Sequence, residues 1–240
     1  MSLLSAQGLT KQFNGLLAVE DVTLEIPEGQ VRALIGPNGA GKTTLVGMLS
    51  GRIAPSAGTV IFDGRDVTAW PAHKRISAGM GYTFQITSVF PNLSVWENVA
   101  LAARRTLSGR SDMENAVSAS LERVGLIDHR FEEAGDLSYG HQRLLEIAMG
   151  LAQAPKLLIL DEPTQGLADS EVAAFNQLIL ELAGSTTVLL IEHNMDVVMQ
   201  VADFVTVLDA GKVLFEGIPD DVKANAAVQA AYLGGGDAAA

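Results

Sequence analysis

The sequence contains no cysteine, so neither a disulfide framework nor thiol chemistry is available to it. Although 48% of its 240 residues are hydrophobic, charges or glycines interrupt every apolar run well before the roughly 18 residues a membrane-crossing helix needs. The opening MSLLSAQGLTKQF has no basic patch leading into a long apolar segment, which argues against a secretory signal and points to a cytoplasmic location. Positive charge is scarce. Twenty-eight acidic residues against sixteen basic give a formal net charge of −12, unfavourable for broad contact with a nucleic-acid backbone. Any phosphate this chain binds must be held by a local site. The length suits one large compact unit, or a core with a subdomain.

Short β-rich runs such as VRALIG, KLLILD and TTVLLIEH alternate with segments of helical period such as SEVAAFNQLILELA and NMDVVMQVA. That alternation predicts an α/β fold with a mostly parallel sheet. The first third reads differently: LTKQF, VTLEIPEG and GTVIFDGRDV predict short strands of a small antiparallel sheet laid against the main one. FVTVLDAGKVLFEG predicts a hairpin. Between Leu93 and Gln153 the strand signals nearly vanish, and VWENVALAARR, MENAVSASLERVG and RLLEIAMGLA read as helices of an insert spanning approximately 90–153. The expected organisation is a single domain over 1–233 with a flexible tail at 234–240, where GGGDAAA has nothing to bury.

Strand VRALI leads into Gly36, Pro37, Asn38, Gly39, Ala40, Gly41, Lys42, Thr43 and Thr44, which fits the phosphate-loop pattern GxxxxGK[ST] in its strand-loop-helix setting. By chance that pattern arises in only about one chain in a hundred. Its glycines let successive backbone N–H groups face an anion at a helix N-terminus, Lys42 can reach the β- and γ-phosphates, and the Thr43 hydroxyl can ligate Mg²⁺. The pattern implies nucleotide binding.

A second strand, KLLIL, ends in Asp161-Glu162-Pro163, where adjacent side chains address different directions. Asp161 is placed on the metal side and Glu162 as the general base toward water. TTVLLI ends alike in Glu192-His193, and His193 can meet the γ-phosphate and the attacking water if its strand opens on the same crevice. Gln85 closes MGYTFQ and can touch Mg²⁺ or water. Ser138, in LSYGHQR, has the chemistry of a helix N-cap, and Gly140 lets a phosphate approach the positive end of the helix that follows.

Taken in order, GPNGAGKTT, YTFQ, LSYGHQ, LLILDEP, GLAD and IEH resemble the motif series of ATP-binding cassette (ABC) ATPases over nearly the whole chain. The resemblance implies a P-loop NTPase core of RecA type with an N-terminal antiparallel β-subdomain and an inserted helical subdomain. It also implies an ATPase using ATP and Mg²⁺. Gln85 would then be the Q-loop residue, Ser138 to Gln142 the signature motif, Asp169 the D-loop acid, His193 the switch histidine and Phe13 the aromatic that stacks on adenine. Tyr139 and His141 depart from the usual LSGGQQ; His141 would add a pH-sensitive contact. Within the family, LTKQFNGLLAVEDVTLEI, TFQ with LSVWENV, LEIAMGLA and PDDVKANAAVQAAYLG resemble the ATPase subunit of branched-chain amino-acid importers.

That resemblance implies a homodimer, or a heterodimer with a paralogous subunit, peripheral on the cytoplasmic face of the inner membrane. Its partners would be transmembrane permease subunits and, indirectly, a periplasmic solute-binding protein. Each ATP would take Lys42, Thr43, Asp161 and Glu162 from one protomer and Ser138 and Gly140 from the other. The stretch Phe90 to Trp96 reads either as permease contact or as core of the insert. Lipopolysaccharide-export ATPases share much of the pattern. Soluble ABC ATPases of DNA repair, chromosome structure or translation are the rival class; the chain has neither long heptad coiled coils nor a second cassette. A binding-only cassette would be expected to have lost its carboxylates or histidine, and all are present.

Overall fold

The computed structural model describes residues 2–83, 88–104, 106–107 and 109–233. Two sheets share the work. The N-terminal sheet is antiparallel, in the order β2 (Leu16–Pro27), β1 (Ser2–Phe13), β4 (Ala57–Phe62), β5 (Arg65–Asp66). Its first two strands run 12 residues each rather than the short segments expected from sequence. The pairing of β1 with β2 shifts register between Ala6 and Leu9 and again beyond Leu9, so bulges re-phase the ladder where the apolar alternation breaks.

The larger sheet has the order β10-β9-β3-β8-β7-β6. Strands β3 (Val31–Ile35), β6 (Met80–Thr83), β7 (Leu157–Asp161), β8 (Thr187–Ile191) and β9 (Phe204–Asp209) run parallel, and β10 (Lys212–Gly217) closes the edge as an antiparallel hairpin with β9. Every residue of β3, β7 and β8 is buried, which is why they read as unbroken apolar runs.

Helix α1 (Lys42–Leu49) lies between the sheets, its Leu45, Val46, Met48 and Leu49 sharing a core with Leu4, Leu9 and Ile26 of one sheet and Ile159 of the other. Helix α2 (Ala72–Ser77) precedes β6. On the opposite face α3 (Val95–Ala103), α4 (Arg110–Arg123), α5 (Tyr139–Leu151) and α6 (Asp169–Leu182) pack with Leu158, Leu160 and Val188 into one continuous core. The helical segment therefore shares the core of the parallel sheet instead of forming its own. Ser94 and Glu97 start α3 with a reciprocal capping box. Helix α7 (Met195–Val201) follows β8, and α8 (Pro219–Ala224) and α9 (Ala226–Leu233) cover the β9-β10 edge through Val222 and Val228. No helix among the described residues is long and apolar enough to cross a membrane. The expected tail, 234–240, lies outside the described residues.

Candidate nucleotide site

In a parallel sheet the loops after β3, β7 and β8 open on one edge, which gathers the phosphate loop, Asp161-Glu162 and Glu192-His193. The loop after β3 borders a cavity of about 510 Å³ shared by Asn38, Lys42, Thr43 and Glu162 with Leu16 and Leu17. Gly36 has φ 151°, and a Cβ there would lie 2.1 Å from the Leu208 carbonyl oxygen. Glycine is thus demanded by both backbone and space. Gly36→Ala is expected to cost about 2 kcal/mol or more. A thermal melt would then show a Tm roughly 4–8 °C lower, alongside weaker ATP binding.

The Lys42 ammonium folds back onto its own loop, donating to the carbonyls of Gly36 (2.6 Å) and Pro37 (3.1 Å). Burial lowers its pKa, while Glu162 and Asp161 act to raise it. Loop and wall are stitched together, because Gly211 N–H donates to Ala40 O and Glu20 N–H to Gly211 O. Ala18 and Gly211 therefore belong to the site, which the sequence reading missed; a glycine in a hairpin turn gave no such signal. Phe13 stands beside this wall and not in it. It pairs with Leu16 at the hairpin end, is 43% exposed, and has the Lys11 ammonium 5.0 Å from its ring centroid.

Strand alternation places Leu157 and Ile159 in the core toward α1, and Leu158 and Leu160 in the core on the other face. Asp161 continues the first set and is 6% exposed. The Tyr82 hydroxyl donates to Asp161 Oδ2 at 2.7 Å, and burial followed by that bond pushes the phenol well up, so it remains a donor. Glu162 leaves the alternation: its φ is 49°, a left-handed backbone that turns its carboxylate into the cavity, while its N–H still donates to Ile191 O at 2.9 Å.

Glu192, noted from sequence only as the residue before His193, is fully buried. Its Oε1 accepts from the Thr164 N–H (3.1 Å) and hydroxyl (2.6 Å), and its Oε2 from the N–H groups of His193 (3.1 Å) and Asn194 (3.3 Å). One carboxylate thus ties the loop after β7 to the loop after β8. His193 itself is exposed. Gln85 lies outside the described residues.

Ser138 caps α5, its Oγ accepting from the His141 N–H at 3.2 Å. The His141 ring lies 5.1 Å from that of His129. A Cβ at Gly140 would sit 2.0 Å from Glu171 Oε1, the far end of a half-buried side chain that could turn aside. Glu171 Oε2 in turn accepts from the Ala168 N–H at 2.9 Å, at the start of α6. Asp169 opens α6 and is exposed.

Among the described residues no cluster of three or more His, Asp or Glu could hold a metal unaided. A hydroxyl (Thr43) and a carboxylate (Asp161) are the hard-oxygen donors that suit Mg²⁺ when nucleotide phosphates supply the rest. The strand-loop-helix, the buried acid and the left-handed Glu162 define a P-loop ATPase site. The chain belongs to the ABC transporter family, whose sequence pattern matches residues 19–165, and residues 212–238 match a second one described as branched-chain amino acid ATP-binding cassette transporter. It is therefore an ATP-binding and ATP-hydrolysing cassette. It is 38% identical to the high-affinity branched-chain amino acid transport ATP-binding protein LivG of Salmonella typhimurium, over 97% of this chain and 98% of that one. Identity to BraF of Pseudomonas aeruginosa, named for the same transport, is 39% over the same shares. The lipopolysaccharide export protein LptB of Haemophilus influenzae stands at 34%, over 98% of each chain. Among solved structures, the ADP conformation of MJ1267, an ATP-binding cassette of an ABC transporter, superposes with a TM-score of 0.90 at 28% identity, covering 98% of this chain and 99% of that one.

Proposed function

We propose that this cassette drives import of branched-chain amino acids or a related small solute from the cytoplasmic face of the membrane. The observation that carries the solute class is similarity to LivG and BraF extending through the C-terminal segment 212–238. Lys42 and the loop amides hold the ATP phosphates, and Thr43 and Asp161 hold Mg²⁺, which neutralises phosphate charge when bound. Glu162 orients and deprotonates the attacking water, with His193 beside the γ-phosphate and Gln85 reporting occupancy. A second cassette, identical or paralogous, offers Ser138 and Gly140 to the same γ-phosphate.

The membrane partner meets the face around Phe90, which is 49% exposed, whereas Trp96 packs against the helical core. Phe131, 78% exposed, extends that face, because the segment bearing it pairs with 91–96 through Val95 N–H to Glu132 O and Ala134 N–H to Leu93 O. Purification of the tagged protein from native membranes tests the assignment. Co-purifying permease subunits and a bound branched-chain amino acid are expected, and a DNA- or ribosome-bound preparation would refute it. In that material Ser138→Arg is expected to keep ATP binding and lose at least about 100-fold in turnover, since the bulky cation displaces the donor from the shared phosphate. Normal hydrolysis in that variant would remove Ser138 from the site.

A further inference from the structure

The phosphate-loop helix and the acid that ends β7 are joined by a side chain, Tyr82, to which the motif series assigns no role. Tyr82 sits on β6 opposite Ile159 of β7, so its ring points to the same face as Ile159 and Asp161 and lies against the core around α1. From there its hydroxyl reaches one residue pair further along β7 and donates to Asp161 Oδ2 at 2.7 Å. The guanidinium of Arg52 covers the ring, 4.1 Å from its centroid, and Arg52 Nε donates at 3.1 Å to the Oγ of Ser50, the buried residue that ends α1. The helix that begins with Lys42 and Thr43 therefore ends by gripping the ring that holds Asp161.

We propose that Tyr82 is a positioning residue for the metal-side carboxylate: its hydroxyl engages Oδ2 and so presents Oδ1 of Asp161 to the nucleotide-bound cation. The inference rests on the reading of Asp161 as the acid on the metal side. A carboxylate held by one fixed donor has fewer orientations to lose when it meets a cation or a cation-bound water, so the cation binds more tightly. A phenylalanine fills the same apolar seat, so Tyr82→Phe removes the hydroxyl alone, with its bond to Asp161 and its contact with Arg52.

The test uses the full chain with ADP and Mn²⁺ as the cation probe, followed by electron paramagnetic resonance of free Mn²⁺. Tyr82→Phe is expected to weaken Mn²⁺ binding to the ADP complex about ten-fold or more, as loss of a hydrogen bond that orients a metal-side carboxylate would. Metal-free ADP affinity should stay within about twofold. Arg52→Gln, which loosens the ring without removing the hydroxyl, should weaken Mn²⁺ binding in the same direction and by less. Asp161→Asn is the companion variant. If it weakens Mn²⁺ binding while Tyr82→Phe leaves it unchanged or tightens it, the positioning role of Tyr82 is overturned and the reading of Asp161 survives. If Asp161→Asn has no effect either, the reading of Asp161 itself falls and the role of Tyr82 with it.

Discussion

Glu162→Gln is expected to bind ATP with near-normal affinity and to lose about 10²–10⁴-fold in steady-state hydrolysis, the range that a positioned general base contributes. The backbone is the reason for the specificity. Glu162 follows a fully buried strand, adopts φ 49°, and borders the same cavity as Lys42 and Thr43. A left-handed non-glycine residue is uncommon and is retained where surrounding structure holds it, here by its N–H bond to Ile191 O. Glutamine keeps the shape and reach of the side chain while removing its negative charge and its capacity to take a proton. A phosphate-release assay beside an equilibrium ATP-binding measurement separates the two effects. Unchanged turnover would transfer the base role to another group.

Glu192→Ala carries the second large effect, on stability and activity together. It leaves the buried Thr164 N–H and hydroxyl without their acceptor, and with them the half-buried N–H groups of His193 and Asn194. At about 1 kcal/mol or more for each orphaned donor, unfolding free energy should fall by about 3–5 kcal/mol, measurable by urea denaturation. The same change frees the loop bearing Asp161 and Glu162 from the loop bearing His193, so turnover of the surviving folded fraction should drop as well. Glu192→Gln, which keeps one acceptor oxygen, should fall between the two. A variant as stable and active as the parent would show that the two loops hold their places independently.

The phosphate loop was legible because a short pattern within nine residues records it, although part of the demand for glycine at Gly36 comes from the distant Leu208 carbonyl. Strands β3, β7 and β8 were legible for a similar reason, since a strand buried on both faces needs nothing but apolar residues. The β1-β2 hairpin was underestimated because bulges carry pairing past the points where alternation fails. Glu192 escaped because its partner Thr164 is 28 residues away in sequence, and a glutamate beside a histidine looks like a solvated strand end until the fold closes over it. Tyr82 escaped likewise: an aromatic in a strand reads as core, and only the register of β6 on β7 brings its hydroxyl to Asp161. Phe90 and Trp96, ambiguous as a pair in the sequence, divide in the fold, one exposed and one packed.

Central to this account is that one ATP needs the phosphate loop of one cassette and the Ser138 helix of another. Light scattering on cassettes released from native membranes, carrying Glu162→Gln and given ATP with Mg²⁺, tests it most directly. The account predicts that ATP doubles the particle mass from the 25.3 kDa of a single chain, and that adding Ser138→Arg abolishes the doubling without abolishing ATP binding. A particle that binds ATP and stays at the mass of one cassette would contradict it.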